Sequence, residues 1–412
     1  MTDLEKKVLS EVDEKEVVEF LQKLIRCRSD YPPGDTREVA EACRRKFEEA
    51  GIPAELIYPH PDTFTIWNDH VDVTKIPSVI GTYQGDKEGP VLLYNAHIDT
   101  VPGDNIKNWR NDPFSGIIED GKYIYGRGAG DDKGSVAAQV MAAVILARAG
   151  IKLKGTLQIS PVADEEASSY RGTKFLRDEG YLKPDIVVIG EQTDNKIAVA
   201  ERGVLWMKIT IIGKGAHAAM PWAGNNAVAR AAEFVNLINT EYADELEKRT
   251  NPYLPHATAS VTGFNGGIKD NVIPELCTLT IDRRLVPGET VEMAVGEIKN
   301  LLKKAAADHS FEWDVRVTYD AGPPVNTQPN DPLIQSMLKI KEELTGAPDQ
   351  PIGYRQGSDG RLFTHLGIPI AIYGPSDPAV GHAPNERVSI EQLLEATRVY
   401  ILIAMRILGC IS

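Results

Sequence analysis

The residues with chemical potential in this chain cluster at the ends of short apolar runs. Val91–Asn95 leads into Ala96-His97-Ile98-Asp99, and Thr156–Val162 into Ala163-Asp164-Glu165-Glu166. Asp185–Ile189 leads into Gly190-Glu191, and Ile368–Tyr373 is followed by Gly381-His382-Ala383-Pro384. Imidazoles and carboxylates are ligands of divalent metals. In open α/β sheets, ligands bind beyond the carboxyl ends of the strands. A single His or Asp there reads as an ordinary loop residue. Such groups at four strand ends read as a site, because converging carboxylates repel one another unless a cation lies among them. A fifth element is Tyr125-Gly126-Arg127-Gly128-Ala129-Gly130-Asp131-Asp132-Lys133-Gly134, whose glycines imply tight turns ahead of a helix. A phosphate-cradling loop is the competing reading. No Gly-Lys-Ser/Thr follows, however, and two aspartates would face the phosphate, so Asp131 is better placed as a metal ligand. Asp99 follows His97 by two residues and would share its face in extended backbone. It is therefore expected to accept the second imidazole N–H and fix the tautomer.

These groups need elements to hold them. Glu16–Cys27, Thr36–Gly51 (with Thr36 as its cap), Lys133–Ala149 and Glu386–Leu408 have helical periodicity. Ser78–Tyr83 and the four runs named above read as buried strands. Strands alternating with helices indicate an α/β layer with a largely parallel sheet. The middle of the chain differs. Gly203–Ile212, Ala257–Gly263, Leu276–Leu285 and Phe311–Tyr319 read as strands, with helices at Asn225–Leu246 and Glu289–Ala307. The order βαββαβ is that of a ferredoxin-like α+β sandwich. The expected organisation is a discontinuous catalytic domain, 1–201 and 321–412, with a second domain inserted at 202–320.

Composition excludes several classes. The 412 residues carry 45 Lys+Arg against 59 Asp+Glu, a net charge of −14. That balance disfavours nucleic acid and anionic membranes. Hydrophobic content of 42% and charged content of 25% are those of a globular chain, not a disordered or fibrous one. Cys27, Cys43, Cys277 and Cys410 are widely spaced with no CxxC pair, as expected of reduced thiols. No signal-like segment is visible at the N-terminus, and no apolar run reaches a membrane span. The expected location is the cytoplasm.

At this point the chain resembles the co-catalytic zinc metallopeptidases that include acetylornithine deacetylase, succinyl-diaminopimelate desuccinylase, aminoacylase, glutamate carboxypeptidase and related dipeptidases. The matching motifs are His97-Ile98-Asp99-Thr100-Val101-Pro102, Gly126–Gly134, Asp164-Glu165-Glu166 and Gly190-Glu191. Further along come Gly215-Ala216-His217 with Pro221, Asn271-Val272-Ile273-Pro274, Asp282-Arg283-Arg284 and Gly381-His382-Ala383-Pro384-Asn385-Glu386. They run in the family's order over nearly the whole chain. The resemblance implies an α/β zinc-peptidase-like catalytic domain with a mixed, largely parallel sheet, plus an inserted ferredoxin-like dimerisation, or lid, domain. It implies two divalent ions, zinc first, with cobalt or manganese as replacements. His97 and Glu191 would bind one ion, Glu166 and His382 the other, and Asp131 would bridge them. Three carboxylates, two neutral imidazoles and a bridging hydroxide balance the charge of two such ions.

The resemblance also makes Glu165 the general base. Being adjacent to Glu166, it should point away from it, towards the water. His217 would act from the neighbouring subunit of a homodimer, stabilising the oxyanion. Asn271 and Arg284 would hold the substrate's carboxylate, for which the bidentate Arg fork is suited. Gly357 would border the substrate pocket, and the Asp131–Asp132 peptide would be cis. Arg283 should turn to the opposite strand face in a structural role, and His60, His70, His256, His309 and His365 match no motif. The implied activity is hydrolysis of an amide C–N bond in a small N-acyl amino acid or dipeptide-like molecule by a metal-bridging hydroxide. One alternative is an aminohydrolase acting on a ring amine or carbamoyl amine at the same centre. Another is a binding protein on an inactive hydrolase scaffold, against which the complete ligand set argues.

Overall fold

The computed structural model describes residues 1–63, 71–86, 88–103, 106–308 and 310–411, so His70 and His309 lie outside the described residues. The chain forms two compact units. The first comprises Met1–Val199, Thr327–Tyr354 and Ser358–Ser412, and the second Ala200–Asn326 with Arg355–Gly357. The segment read from sequence as the insert, 202–320, falls inside the second. The second unit begins within the strand Ala198–Glu201, at Ala200, and runs to the end of Val325–Asn326, where Glu201 pairs with Val325.

The first unit is built on a mixed sheet. Its centre is parallel: Thr156–Val162, Val91–His97, Ile186–Ile189 and Ile370–Ile372 lie side by side in that order. Antiparallel strands flank them, with Ser78–Tyr83 and Ala54–Ile57 on one side and Ala198–Glu201 on the other. The parallel strands are near-continuous apolar runs because both faces are covered. The helix Lys133–Arg148 packs against this centre, with only its last two residues outside the core. A helix apolar all round must be buried all round. Its first turn begins directly after Asp131–Asp132, so the Gly-rich loop is held between the sheet and a buried helix.

Two expected helices differ in detail. Thr36 stands at the helix start, but its hydroxyl donates to the Pro77 carbonyl instead of accepting from the first turn. The last helix starts at Ile390 instead of Glu386, because Arg387–Ser389 pairs as a strand with Tyr123–Tyr125 and Ser389 then caps the helix. Among the described residues, no helix is long and apolar enough to cross a membrane.

The second unit is a four-stranded antiparallel sheet with strands in the order Thr258–Gly266, Leu276–Leu285, Gly203–Ile212 and Glu312–Asp320. Alternate residues Leu205, Met207, Ile209 and Ile211 face a core shared with Leu279, Ile281, Phe234 and Ile298. Burying each such side chain is worth about 1.5–3 kcal/mol. The helix expected over Asn225–Leu246 is Ala227–Leu237 capped by Asn226, followed by a π-helical turn at Ile238–Tyr242 and a short helix to Glu247. Arg283 lies on the core face, fully buried, bonded to Glu289 and the Tyr242 hydroxyl.

Candidate metal centre

His97 is the last residue of its strand, and its ring is buried. The Nε2 atom lies 3.0 Å from Asp131 Oδ1. The other oxygen of Asp131, Oδ2, lies 3.1 Å from His382 Nε2, which is itself 3.0 Å from Glu166 Oε1. One carboxylate thus faces two imidazoles from opposite ends of the chain, one through each oxygen. Donor atoms of His97, Asp131 and Glu166 all fall within 4.8 Å of one another. An imidazole and a carboxylate whose lone pairs point at each other are held by a proton or by a cation.

The electrostatics show the same convergence. Burial pushes Glu165 well above the usual carboxylate range, and Asp359, Glu166 and Asp99 add to the push. Glu191 is likewise raised, first by burial and then by Asp132. Glu166 is raised by burial and by Asp131. Burial alone would raise Asp131 too, but hydrogen bonds with His382 and His97 hold it low. The Asp131 and Glu166 carboxylates push His382 up to about 10. A divalent cation among these groups would reverse the cost of packing so many carboxylates together. The donors are nitrogen and oxygen only, a set that suits zinc, cobalt or manganese. The residues therefore fit such ions.

The backbone around these side chains departs from its ordinary conformations. The Asp131–Asp132 peptide is cis, and Asp164 and His382 have positive φ. Gly128 sits at φ +82°, and a Cβ there would stand 2.7 Å from Thr100 Cγ2. A hydrogen-bonded hub anchors the loop: Glu386 Oε1 accepts from the N–H groups of Gly130 and Asp131, at 2.8 and 2.9 Å. Its other oxygen accepts from Arg127 at 2.6 Å.

The sequence pattern of Peptidase family M20/M25/M40 matches residues 93–406, which contain every one of these groups. The chain belongs to this family. As an M20 peptidase it is a metal-dependent hydrolase. It is 29% identical to the succinyl-diaminopimelate desuccinylase of Stutzerimonas stutzeri over 333 residues, which are 78% of this chain and 84% of that one. Its fold matches the crystal structure of aminopeptidase PepT from Bacillus cereus with a TM-score of 0.74 at 21% identity, covering 95% of this chain and 98% of the other. It also matches a dinuclear metal-binding M20 peptidase from Bacillus subtilis, with a TM-score of 0.69 at 18% identity and coverage of 96% and 98%.

The Asp99 expectation needs correction in this M20 peptidase. His97 Nδ1 faces the backbone carbonyl of Asp99 at 2.9 Å, while the Asp99 carboxylate stands 3.7 Å away, too far for a hydrogen bond. Its two oxygens instead accept the N–H groups of Glu165 and Glu166, at 3.2 and 3.1 Å. The strand ends at His97, so the two-residue repeat of an extended chain no longer aims Asp99. Asp99 holds the Glu165–Glu166 turn.

Glu191 is buried, and its carboxylate accepts from the Tyr354 hydroxyl at 2.8 Å. In the second unit, the exposed His217 pairs with Val272 in a two-stranded ribbon, and Ala218 N donates to Asn271 O at 3.0 Å. Arg284 is half-buried and bonded through two nitrogens to Asp282, at 2.7 and 3.0 Å. Gly357 lies in the same unit, in the loop after Tyr354. Sequence reading missed Gln192, whose Nε2 donates to Asp131 Oδ2 at 2.7 Å, and the functional placing of Tyr354 and Arg127. Position next to Glu191 was a usable signal for Gln192. Tyr354 had none.

Proposed function

We propose that this M20 peptidase hydrolyses the amide bond of a small N-acyl amino acid or dipeptide-like substrate that carries a free carboxylate. The observation that carries the reading is the Asp131 carboxylate, with each oxygen facing a different imidazole, the disposition of a bridging ligand. His97 and Glu191 would hold one divalent ion, Glu166 and His382 the other, with Asp131 between them. Zinc is the first choice, and cobalt or manganese are replacements. The two ions would lower the pKa of a water and polarise the amide carbonyl.

Glu165 takes the proton from the attacking water and delivers it to the leaving nitrogen. A carboxylate beside the attacking water can accept its proton and then return it to the leaving group. Asp99 holds the Glu165–Glu166 turn by accepting from both of their amides. Asn271 and Arg284 would take the substrate's carboxylate, and Gly357 would border the substrate. The test is a hydrolysis screen of N-acetyl, N-succinyl and N-carbamoyl amino acids and dipeptides in the presence of zinc, cobalt or manganese. Turnover should depend on the free carboxylate. Cleavage confined to amines on rings or to carbamoyl amines without one would favour an aminohydrolase instead.

His217 acts in this reading from the partner subunit of a homodimer, as a donor to the developing oxyanion. Its exposure on a ribbon of the second unit supports that role. His217→Ala and Glu165→Ala should each be nearly inactive. Refolded together, half of the dimers should be mixed by random pairing. Each mixed dimer has one site with both defects and one with neither, so activity should return to roughly a quarter of wild type under two-fold symmetry. No recovery in dimers shown to be mixed would place His217 outside the neighbouring site.

A further inference from the structure

Glu191 differs from the other carboxylates of the centre. Asp131 is fixed between two imidazoles and is also bonded by Gln192, and Glu166 faces His382. Glu191 follows the strand Ile186–Ile189 and is buried. The hydrogen bond that orients it comes from the far end of the sheet. The strand Ile352–Tyr354 pairs beside Ala198–Glu201, with Ile352 N donating to Ile197 O at 2.9 Å. This places the buried Tyr354 hydroxyl 2.8 Å from Glu191 Oε2.

We infer that Tyr354 is a positioning residue that fixes the orientation in which Glu191 meets its metal ion. The inference rests on Glu191 being a metal ligand, as proposed above. A phenol has one O–H, and its bond to a carboxylate is charge-assisted and directional. A carboxylate left to rotate can offer an ion either oxygen or both. With one lone pair of Oε2 engaged by Tyr354, the carboxylate is held in one rotational setting, and Oε1 is free of that bond. Partners of this kind orient metal ligands, and their removal lowers metal affinity or activity by about 10- to 100-fold. The effect should fall on one ion of the two, because Tyr354 bonds neither Asp131, Glu166 nor His382 among the described contacts.

Tyr354→Phe removes the O–H and keeps the ring. The metal-free protein would be titrated with zinc against a competing chelator, with bound metal measured directly. One ion should bind about 10- to 100-fold more weakly than in wild type, and the other as before. On a substrate the enzyme turns over, kcat at limiting zinc should fall with KM unchanged, and excess zinc should restore it. A purely structural loss would not be rescued by zinc. Glu191→Gln is the control and should lose one ion. Adding Tyr354→Phe to it should change nothing more, since the two residues act as a pair. That double variant also removes the charge that Tyr354 serves, so the comparison survives if the single variant unfolds early in a thermal melt. If Glu191→Gln loses an ion while Tyr354→Phe binds both as wild type, the inference fails and the metal centre stands. The inference fails equally if the double variant binds its remaining ion more weakly than Glu191→Gln. If Glu191→Gln still binds two ions at wild-type affinity, the assignment of Glu191 fails, and the inference with it.

Discussion

Glu165→Gln is expected to lower kcat by about 100- to 10,000-fold, the usual cost of losing a general base. That corresponds to about 2.7–5.5 kcal/mol of transition-state free energy. The amide of Gln has nearly the volume of the carboxyl but cannot accept the water's proton. Metal content should stay near wild type, because the carboxylate that faces His382 is that of Glu166. Glu166→Ala should do the opposite to metal, lowering occupancy, since it deletes a donor from the group that converges on Asp131. Elemental analysis alongside single-turnover kinetics checks both. Metal loss in Glu165→Gln with full occupancy in Glu166→Ala would reverse the roles of the pair. The adjacent residues are separable because Asp99 caps both amides and Asp164 accepts from Arg171, which together fix the turn between them.

Dialysis against a strong chelator is expected to abolish turnover, and two equivalents of zinc, cobalt or manganese should restore it. His97 faces Asp131, Asp131 faces His382 and His382 faces Glu166, and no thiol is among them. The metal-free protein would hold this group together only by protonating some of its members. Burial and mutual repulsion already raise Glu165, Glu166 and Glu191 above the usual carboxylate range. Chelation should therefore also lower the melting temperature of the first unit, since an ion bound only by the folded chain stabilises it by mass action. Full activity in protein containing less than about a tenth of an equivalent of metal would overturn this reading.

Much of the centre was legible in the sequence because its signals are local. A strand reads as an apolar run, and the residue just past its end sits at the sheet's carboxyl edge whatever the rest of the chain does. The strand ends that carry His97, Asp164-Glu165-Glu166 and Glu191 are legible that way, and Asp131 by the turns its glycines demand, while the choice of ligands among them is what the family resemblance implies. The βαββαβ order of the second unit was legible for the same reason, since each element carries its own period. Other features depended on segments distant in sequence. Asp99 could be assigned to His97 only while the backbone stayed extended, and the strand stops at His97. The helix read from Glu386 starts four residues later because Arg387–Ser389 finds a partner strand more than 250 residues earlier. Which Asp131 oxygen faces which imidazole, the hold of Glu386 on the Asp131 amide, and the Tyr354 bond to Glu191 all join such distant residues. The sequence by itself determined which groups stand at the sheet's carboxyl edge, because strand ends and turns are local properties of the backbone. Only the tertiary structure decided which atoms face one another, because a hydrogen bond about 3 Å long depends on how separate elements pack.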